Sequence, residues 1–338
     1  MLRKSYKVTF TTHFVTDLYL DCDLNNKPNQ NNQLTPPTQN NVAVLDIGSN
    51  SFHLIIVSLN PNELSILHKA KYKVGLAEDL INTGLLSPEA IATGLEALKQ
   101  INSVVDSYPI DHVRIIATQA LRSAKNTEEF INQAQKVFPY PIEVISGKEE
   151  ARLIYKGVVS REQASEVQLV IDIGGGSSEF VIGQSIQAKL LNSINIGCVS
   201  FTNQFFSRGE LSEHAFNQAI DAACKQIEPI SAEYIAHSWD VCFGTSGSIE
   251  SIFSVMQMMK IGNQVNLHNL ETLMSQIITF KSANLLKLGV INEDRKCVFP
   301  AGLAILIAMF RTLKISHMEF SQADLGQGVA FELMEQQD

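Results

Sequence analysis

Paired cysteines, metal-spaced histidines, an excess of positive charge and long apolar runs are all missing from this 338-residue chain. Its five cysteines are Cys22, Cys198, Cys224, Cys242 and Cys297, an odd number with no C-x-x-C pair. That excludes a disulfide framework, and reduced thiols in a cytoplasmic protein are the simplest reading. The eight histidines show no H-E-x-x-H or similar spacing, so no metalloprotease-type site is readable. A formal net charge of −9 excludes a broadly basic surface for nucleic acid. An acidic protein that handles polyanions must instead concentrate its cations and backbone N–H donors locally. The strongest apolar run, residues 302–310, is too short to span a bilayer. It reads as a buried helix bounded by Pro300 and Arg311. No signal peptide is readable near the start, where His13 and Asp17 interrupt the apolar residues.

Apolar residues are plentiful. They make up 45% of the chain against 18% charged, enough for two ordinary cores at about 150 residues per domain. Residues 23–41 (DLNNKPNQNNQLTPPTQNN) are nearly free of large apolar side chains, so residues 1–40 read as a disordered tail. Order begins at Val42. Val42-Ala43-Val44-Leu45 is a buried-strand run ending in Asp46-Ile47-Gly48-Ser49-Asn50, and a second apolar run follows over 51–59. The spacing predicts helices over 88–108 and 127–138, and strands over 112–118 and 142–145. A second cycle then opens, with a strand over 168–172, a Gly-rich turn over 173–178 and a returning strand over 179–182. Further helices are expected over 212–234 and 270–280, with a short strand over 239–243 between them. Strands alternating with helices argue an α/β class.

The two cycles repeat each other. VAVLDIGSNSFHLIIV and LVIDIGGGSSEFVIG share strand, D-I-G, small-residue turn and strand, and their aspartates, 46 and 172, lie 126 residues apart. That distance is about one domain, so it argues a duplicated domain. Glycine tolerates positive φ and leaves room for a ligand. Successive N–H groups in such a turn can bind an anion. Gly48, Ser49, Asn50 and Ser51 form the first candidate phosphate loop, and Gly174, Gly175, Gly176 and Ser177 the second. Asp46 and Asp172 end their strands at equivalent places, where two carboxylates can hold Mg²⁺, and Glu179 offers a third. A Walker A loop is excluded because no Lys follows the glycines. A dinucleotide fingerprint is excluded because the glycines run into Phe180-Val181-Ile182, a strand and not a helix.

These motifs resemble those of the exopolyphosphatase/guanosine pentaphosphate phosphatase (Ppx/GppA) family. So do Ala117-Thr118-Gln119-Ala120-Leu121-Arg122, Ser146-Gly147-Lys148-Glu149-Glu150-Ala151-Arg152-Leu153, Ile196-Gly197-Cys198-Val199-Ser200, Gly244-Thr245-Ser246-Gly247-Ser248 and Arg295 with Phe299-Pro300-Ala301-Gly302-Leu303, in family order. The resemblance implies an actin-like fold of two RNase H-like domains facing a cleft. Domain I is expected over 41–149, completed by a C-terminal helix over 320–338, and domain II over 150–319. The resemblance further implies Mg²⁺-dependent release of terminal phosphate from inorganic polyphosphate or guanosine pentaphosphate, and a homodimer. It places the catalytic carboxylate on Glu149 and the metal-associated carboxylates on Asp46, Asp172 and Glu179. The chain ends soon after the second domain, like the short family members. Where many members read L-R-E-G, this chain reads Leu325-Gly326-Gln327-Gly328.

Spacing alone makes Glu149 the partner of Ser146 in a capping box; the resemblance makes it a base, and the two roles can coexist. Glu150 reads as a solvated or structural helix residue. Arg122, after a strand end, is the better candidate phosphate ligand than Arg152, although a surface ion pair explains either. Both a substrate contact and a plain strand-to-helix turn fit Ser246 and Ser248. His53 reads as a packed strand residue. Two other function classes compete with hydrolysis. An actin-like kinase of small molecules requires an acceptor site that no motif supplies. A non-catalytic polyphosphate sensor has no need of the full carboxylate set.

Overall fold

The structure is a computed structural model that describes residues 7–10, 40–60, 63–162, 166–262, 264–283 and 286–336. In chain order, the first half holds β1 (Lys7–Phe10), β2 (Asn40–Ile47), β3 (Ser51–Asn60), β4 (Glu63–Lys73), α1 (Leu80–Thr83), α2 (Pro88–Val105), β5 (His112–Ala117), α3 (Gln119–Ser123), α4 (Thr127–Val137) and β6 (Ile142–Val144). The second half holds α5 (Gly147–Glu162), β7 (Val167–Ile173), β8 (Ser178–Gln184), β9 (Gln187–Ile194), α6 (Cys198–Phe205), α7 (Glu213–His237), β10 (Val241–Thr245), α8 (Ser246–Met258), α9 (Leu267–Ile278), α10 (Glu293–Leu313), β11 (Glu319–Phe320) and α11 (Leu325–Glu335).

The strands form two sheets with the same plan. One runs β1-β4-β3-β2-β5-β6 and the other β11-β10-β7-β8-β9. In each, three strands pair antiparallel (β2-β3-β4 and β7-β8-β9), and two more follow in parallel on the far side. The repeat seen in the sequence is thus a duplicated α/β domain of the actin-like kind.

Two sequence expectations are corrected. Lys7–Phe10 is a strand paired in parallel with β4 (Lys7 opposite Glu63), where a disordered tail is expected. The low-hydropathy tract starts only at residue 23, and Val8, Thr9 and Phe10 are good strand formers. The rest of 1–39 lies outside the described residues. Helix α10 starts at Glu293, so Pro300 lies inside it instead of bounding it. The Asn292 side chain caps its start by accepting the Arg295 N–H at 3.0 Å. Near-complete burial of 298–310 outweighs the hydrogen bond that Pro300 removes. Helix α10 is long and apolar enough to cross a membrane by composition, yet most of it is enclosed by the second lobe.

Period-2 alternation sets which way the acids point. On β2, Ala43, Leu45 and Ile47 pack into the first lobe with α2 and α4, whereas Val42 and Val44 face α5 and α11. On β7, Leu169, Ile171 and Ile173 pack against α7 and α10, whereas Val170 joins the α5–α11 layer. Asp46 and Asp172 share the parity of Val42, Val44 and Val170. Both therefore point into the space between the sheets.

Candidate active site

The two D-I-G turns are closed by the same hydrogen bond. The Gly48 N–H donates to the Ser51 carbonyl at 3.2 Å, and the Gly174 N–H to the Ser177 carbonyl at 2.9 Å. Their other carbonyls are taken by neighbouring segments. Ser49 O accepts from the Ala77 N–H and Asn50 O from Val74 and Gly75; Gly174 O accepts from Cys198 and Gly175 O from Val199 and Ser200. Across a trans peptide the C=O and the next N–H point in opposite directions. The N–H groups of Asn50, Gly175 and Gly176 are thereby turned to the other side, as an anion cradle requires. The loops also approach each other closely: a Cβ on Gly175 would lie 2.9 Å from the Ser49 Cβ. Glycine is needed there for space.

Between the loops lies a cavity of about 120 Å³, walled by both turns and by Asp46, His53, Glu150, Asp172, Arg295 and Asp324, among others. The β10–α8 turn closes it with Ser246, Gly247 and Ser248. Ser246 sits at φ 83°, a left-handed conformation unusual for a non-glycine residue, and its hydroxyl donates to the Ile173 carbonyl at 2.9 Å. The first helical turn of α8 thus borders the cavity, where a helix N-terminus favours negative charge.

The expected phosphate-loop residues Gly48, Ser49, Asn50, Ser51, Gly174, Gly175, Gly176 and Ser177 all line this cavity, as do Asp46 and Asp172. Glu179 does not reach its wall. It is buried beside Asp172 on the neighbouring strand and accepts a hydrogen bond from the Ser193 hydroxyl at 2.8 Å.

Glu149 is the main correction. It points away from the cavity, and both its carboxylate oxygens are held by Arg152 at 2.8 and 2.6 Å, with Arg152 also paired to Glu332. Its backbone N–H donates to the Ser146 hydroxyl at 3.2 Å, so the Ser146 half of the capping box forms, while the Glu149 carboxylate turns to Arg152 instead of closing the box. The α5 carboxylate that lines the cavity is Glu150, which is 7% exposed. Helix phase explains the difference. Glu150 shares the buried stripe of Leu153, Ile154, Gly157 and Val158, while Glu149 shares the outer face with Arg152 and Lys156. Arg122 is corrected too. It does not line the cavity; it donates to Glu150 at 3.1 Å and to the Ile145 carbonyl at 2.9 Å.

Charge crowds this space. Burial, and then the negative charge of Glu150 and Asp324, push both the Asp46 and Asp172 carboxyls well above the usual range. Burial, Glu150 and Asp172 do the same to Glu179. Burial lifts Glu150 to about 7, with Arg122 pulling the other way. One oxygen of Asp46 and one of Glu179 are buried without any hydrogen-bond partner. His53 stands opposite Asp46 in the register, where the second lobe puts Glu179 opposite Asp172. Burial and nearby Lys71 depress His53 to about 4, so it is neutral at physiological pH. His53, Glu150, Arg295 and Asp324 are among the wall residues that sequence reasoning left without a role at the site.

Two duplicated lobes, each presenting a glycine-containing turn and a strand-end aspartate to one small cavity, define an actin-like α/β protein. The comparisons with known proteins narrow this. The sequence pattern of the Ppx/GppA phosphatase family matches residues 55–337, and the chain belongs to that family. A relative from Aeromonas hydrophila, named guanosine-5'-triphosphate,3'-diphosphate pyrophosphatase, is 40% identical over 292 residues, 86% of this chain. The chain spans only 59% of that relative's length. A Haemophilus influenzae protein with a provisional exopolyphosphatase name is 38% identical over 86% of this chain and 91% of its own. The crystal structure of an exopolyphosphatase from Cytophaga hutchinsonii superposes with a TM-score of 0.79 at 24% identity, covering 88% of this chain and 98% of the other, which establishes the shared fold.

Proposed function

We propose that this chain hydrolyses the terminal phosphate of a phosphoanhydride chain, releasing orthophosphate. Inorganic polyphosphate is the first substrate, with guanosine pentaphosphate as the alternative. One observation carries this reading: the buried Glu150 carboxylate shares a small cavity with two loops whose amides are turned to receive an anion. The names of the relatives support the same substrate pair.

The chemistry follows from the walls. The N–H groups of Asn50, Gly175 and Gly176 and the Arg295 guanidinium hold the terminal phosphoryl oxygens. A loose phosphoryl-transfer transition state needs a positioned water and charge neutralisation more than a strong base. Glu150 accepts a proton from that water and orients it. Arg122 touches no substrate; it is a positioning residue that fixes the Glu150 carboxylate.

The acid cluster fits a divalent cation. The orphaned oxygens of Asp46 and Glu179, and the mutual repulsion of buried Asp46, Asp172 and Glu179, are features that a cation relieves. Among the described residues no three acids, histidines or cysteines converge as a ready-made metal cage. We therefore assign Asp46 and Asp172 as the direct holders of Mg²⁺, with Glu179 supporting Asp172 from behind; water and substrate complete the set, as this ion prefers. When bound, it would neutralise the charge on the terminal phosphates.

Malachite-green detection of orthophosphate from polyphosphate, guanosine pentaphosphate and ATP tests the reading, with and without a chelator. Release from one of the first two that is abolished by chelation is expected. No release from either would refute it, as would ATP-dependent phosphorylation of a small-molecule acceptor.

A pH prediction follows. Glu150 must be ionised to accept a proton, so kcat/KM falls as pH drops through its pKa. Arg122 lowers that pKa. Arg122→Gln therefore moves the acid limb of the profile to higher pH, with activity partly recovered at alkaline pH. A profile reduced equally at every pH would contradict the positioning role.

A further inference from the structure

Strand β4 carries lysines at every second position of its C-terminal half, Lys69, Lys71 and Lys73, and all three are solvent-exposed. In the sheet register they stand opposite Ile55, His53 and Ser51 of β3. Cross-strand partners share a face, and His53 and Ser51 line the cavity. The lysine row therefore runs along the rim of the cleft, over about 13 Å from first to last at the rise of a strand.

The row also joins two larger chambers. Lys69 and Lys71 line one of about 450 Å³ that shares His53, Ser246, Gly247, Arg295 and Asp324 with the small cavity. Lys73 lines another, of about 390 Å³, that reaches Asn50 of the first loop. The outer lysines are occupied by acids, Lys69 by the part-buried Asp324 at 2.6 Å and Lys73 by the exposed Asp294 at 2.8 Å. Such pairs are weak and yield readily to a multivalent anion. Lys71 has no ion-pair partner among the described residues, and Arg295 adds a second positive charge to its chamber. An acidic chain has thus gathered four cations beside one small phosphate cavity, and the central lysine shares its chamber with Glu250 but is held in no direct ion pair among the described residues.

We infer that the row Lys69, Lys71 and Lys73 is a track for the phosphate groups behind the scissile one, so that the preferred ligand is a linear oligophosphate long enough to cross the cleft mouth. The track rests on the hydrolase reading for its direction, with the terminal phosphate in the small cavity. It does not rest on turnover for its affinity. The length of the row sets the behaviour: affinity rises as the phosphate chain lengthens until it spans the three lysines, then levels off.

Calorimetric titration of the full chain with inorganic tripolyphosphate and with long-chain polyphosphate, in a chelator so that hydrolysis does not intervene, tests this. Lys71→Met and the double variant Lys69→Met/Lys71→Met should each retain the fold, since both side chains lie on the exposed face of β4; the thermal midpoint checks that. The wild type should bind the long polymer more tightly than tripolyphosphate. Each lysine removed should weaken long-chain binding on the order of tenfold, as expected for a lost charge-assisted contact, and close the gap between the two lengths. Unchanged long-chain affinity in folded variants would overturn the track. So would equal binding of a single-stranded oligonucleotide of matching charge, which would make the row a general anion patch. Orthophosphate release with length-independent binding defeats the track alone. Length-dependent binding without phosphate release defeats the hydrolase reading alone.

Discussion

Glu150→Gln lowers the rate of orthophosphate release by about 10²–10⁴-fold, the usual loss when a positioned proton acceptor is removed. Glu149→Gln leaves it within about twofold, because only a half-exposed ion pair is lost. The two residues are neighbours, so the comparison controls for helix, loop and overall charge. Glutamine keeps the shape of Glu150 and can still accept from Arg122, but it cannot take a proton. Glu150 is 9% exposed at its side chain and ion-paired at 3.1 Å, whereas Glu149 is 32% exposed and bound to Arg152 outside the cavity. A large loss in Glu149→Gln with a nearly active Glu150→Gln would reverse this assignment and restore the one made from motif resemblance.

Gly328→Ala is expected to be the most destabilising small substitution. Helices α5 and α11 cross in direct backbone contact: a Cβ on Gly328 would meet the Leu153 carbonyl oxygen at 1.8 Å, and one on Gly157 would meet the Asp324 carbonyl oxygen at 2.6 Å. No side-chain rotation relieves a clash with backbone, so the helices must separate. Alanine gains up to about 1 kcal/mol in helix propensity, which is smaller than the overpacking cost of about 3 kcal/mol or more. The thermal midpoint should fall by about 5 °C or more. The activity should fall as well, because α5 carries Glu150. Gly289→Ala is the matched control: its Cβ would have nothing within 4 Å. A thermal midpoint for Gly328→Ala equal to that of Gly289→Ala would show that the helices do not touch as described.

The loops and their aspartates are legible in the sequence because a period-2 run ending in D-I-G occurs twice, and repetition separates a ligand turn from an ordinary hairpin. Glu150 was legible in principle. Counting 150, 153, 154, 157 and 158 as one helical stripe puts it on the buried side, but the motif resemblance drew attention to its neighbour. Arg295 was not legible by pattern. It lies in the first turn of a helix far along the chain, and only the packing of α10 under Gly247 brings it to the cavity. His53 and Lys71 are invisible until strand pairing is known, since their importance lies in standing beside Asp46 across β3 and β4. Strand β9 was missed because Gln187–Ile194 is only half-buried and lacks a continuous apolar run, and α6 because eight residues are too few for a clear helical period.

The most direct test of hydrolysis at the terminal phosphorus is isotopic. With polyphosphate or guanosine pentaphosphate turned over in ¹⁸O-water and Mg²⁺, mass spectrometry should find one ¹⁸O in each released orthophosphate and none in the shortened chain. Label in the shortened chain would mean attack on the inner phosphorus, and label in neither product would mean that water is not the nucleophile; either result contradicts the account.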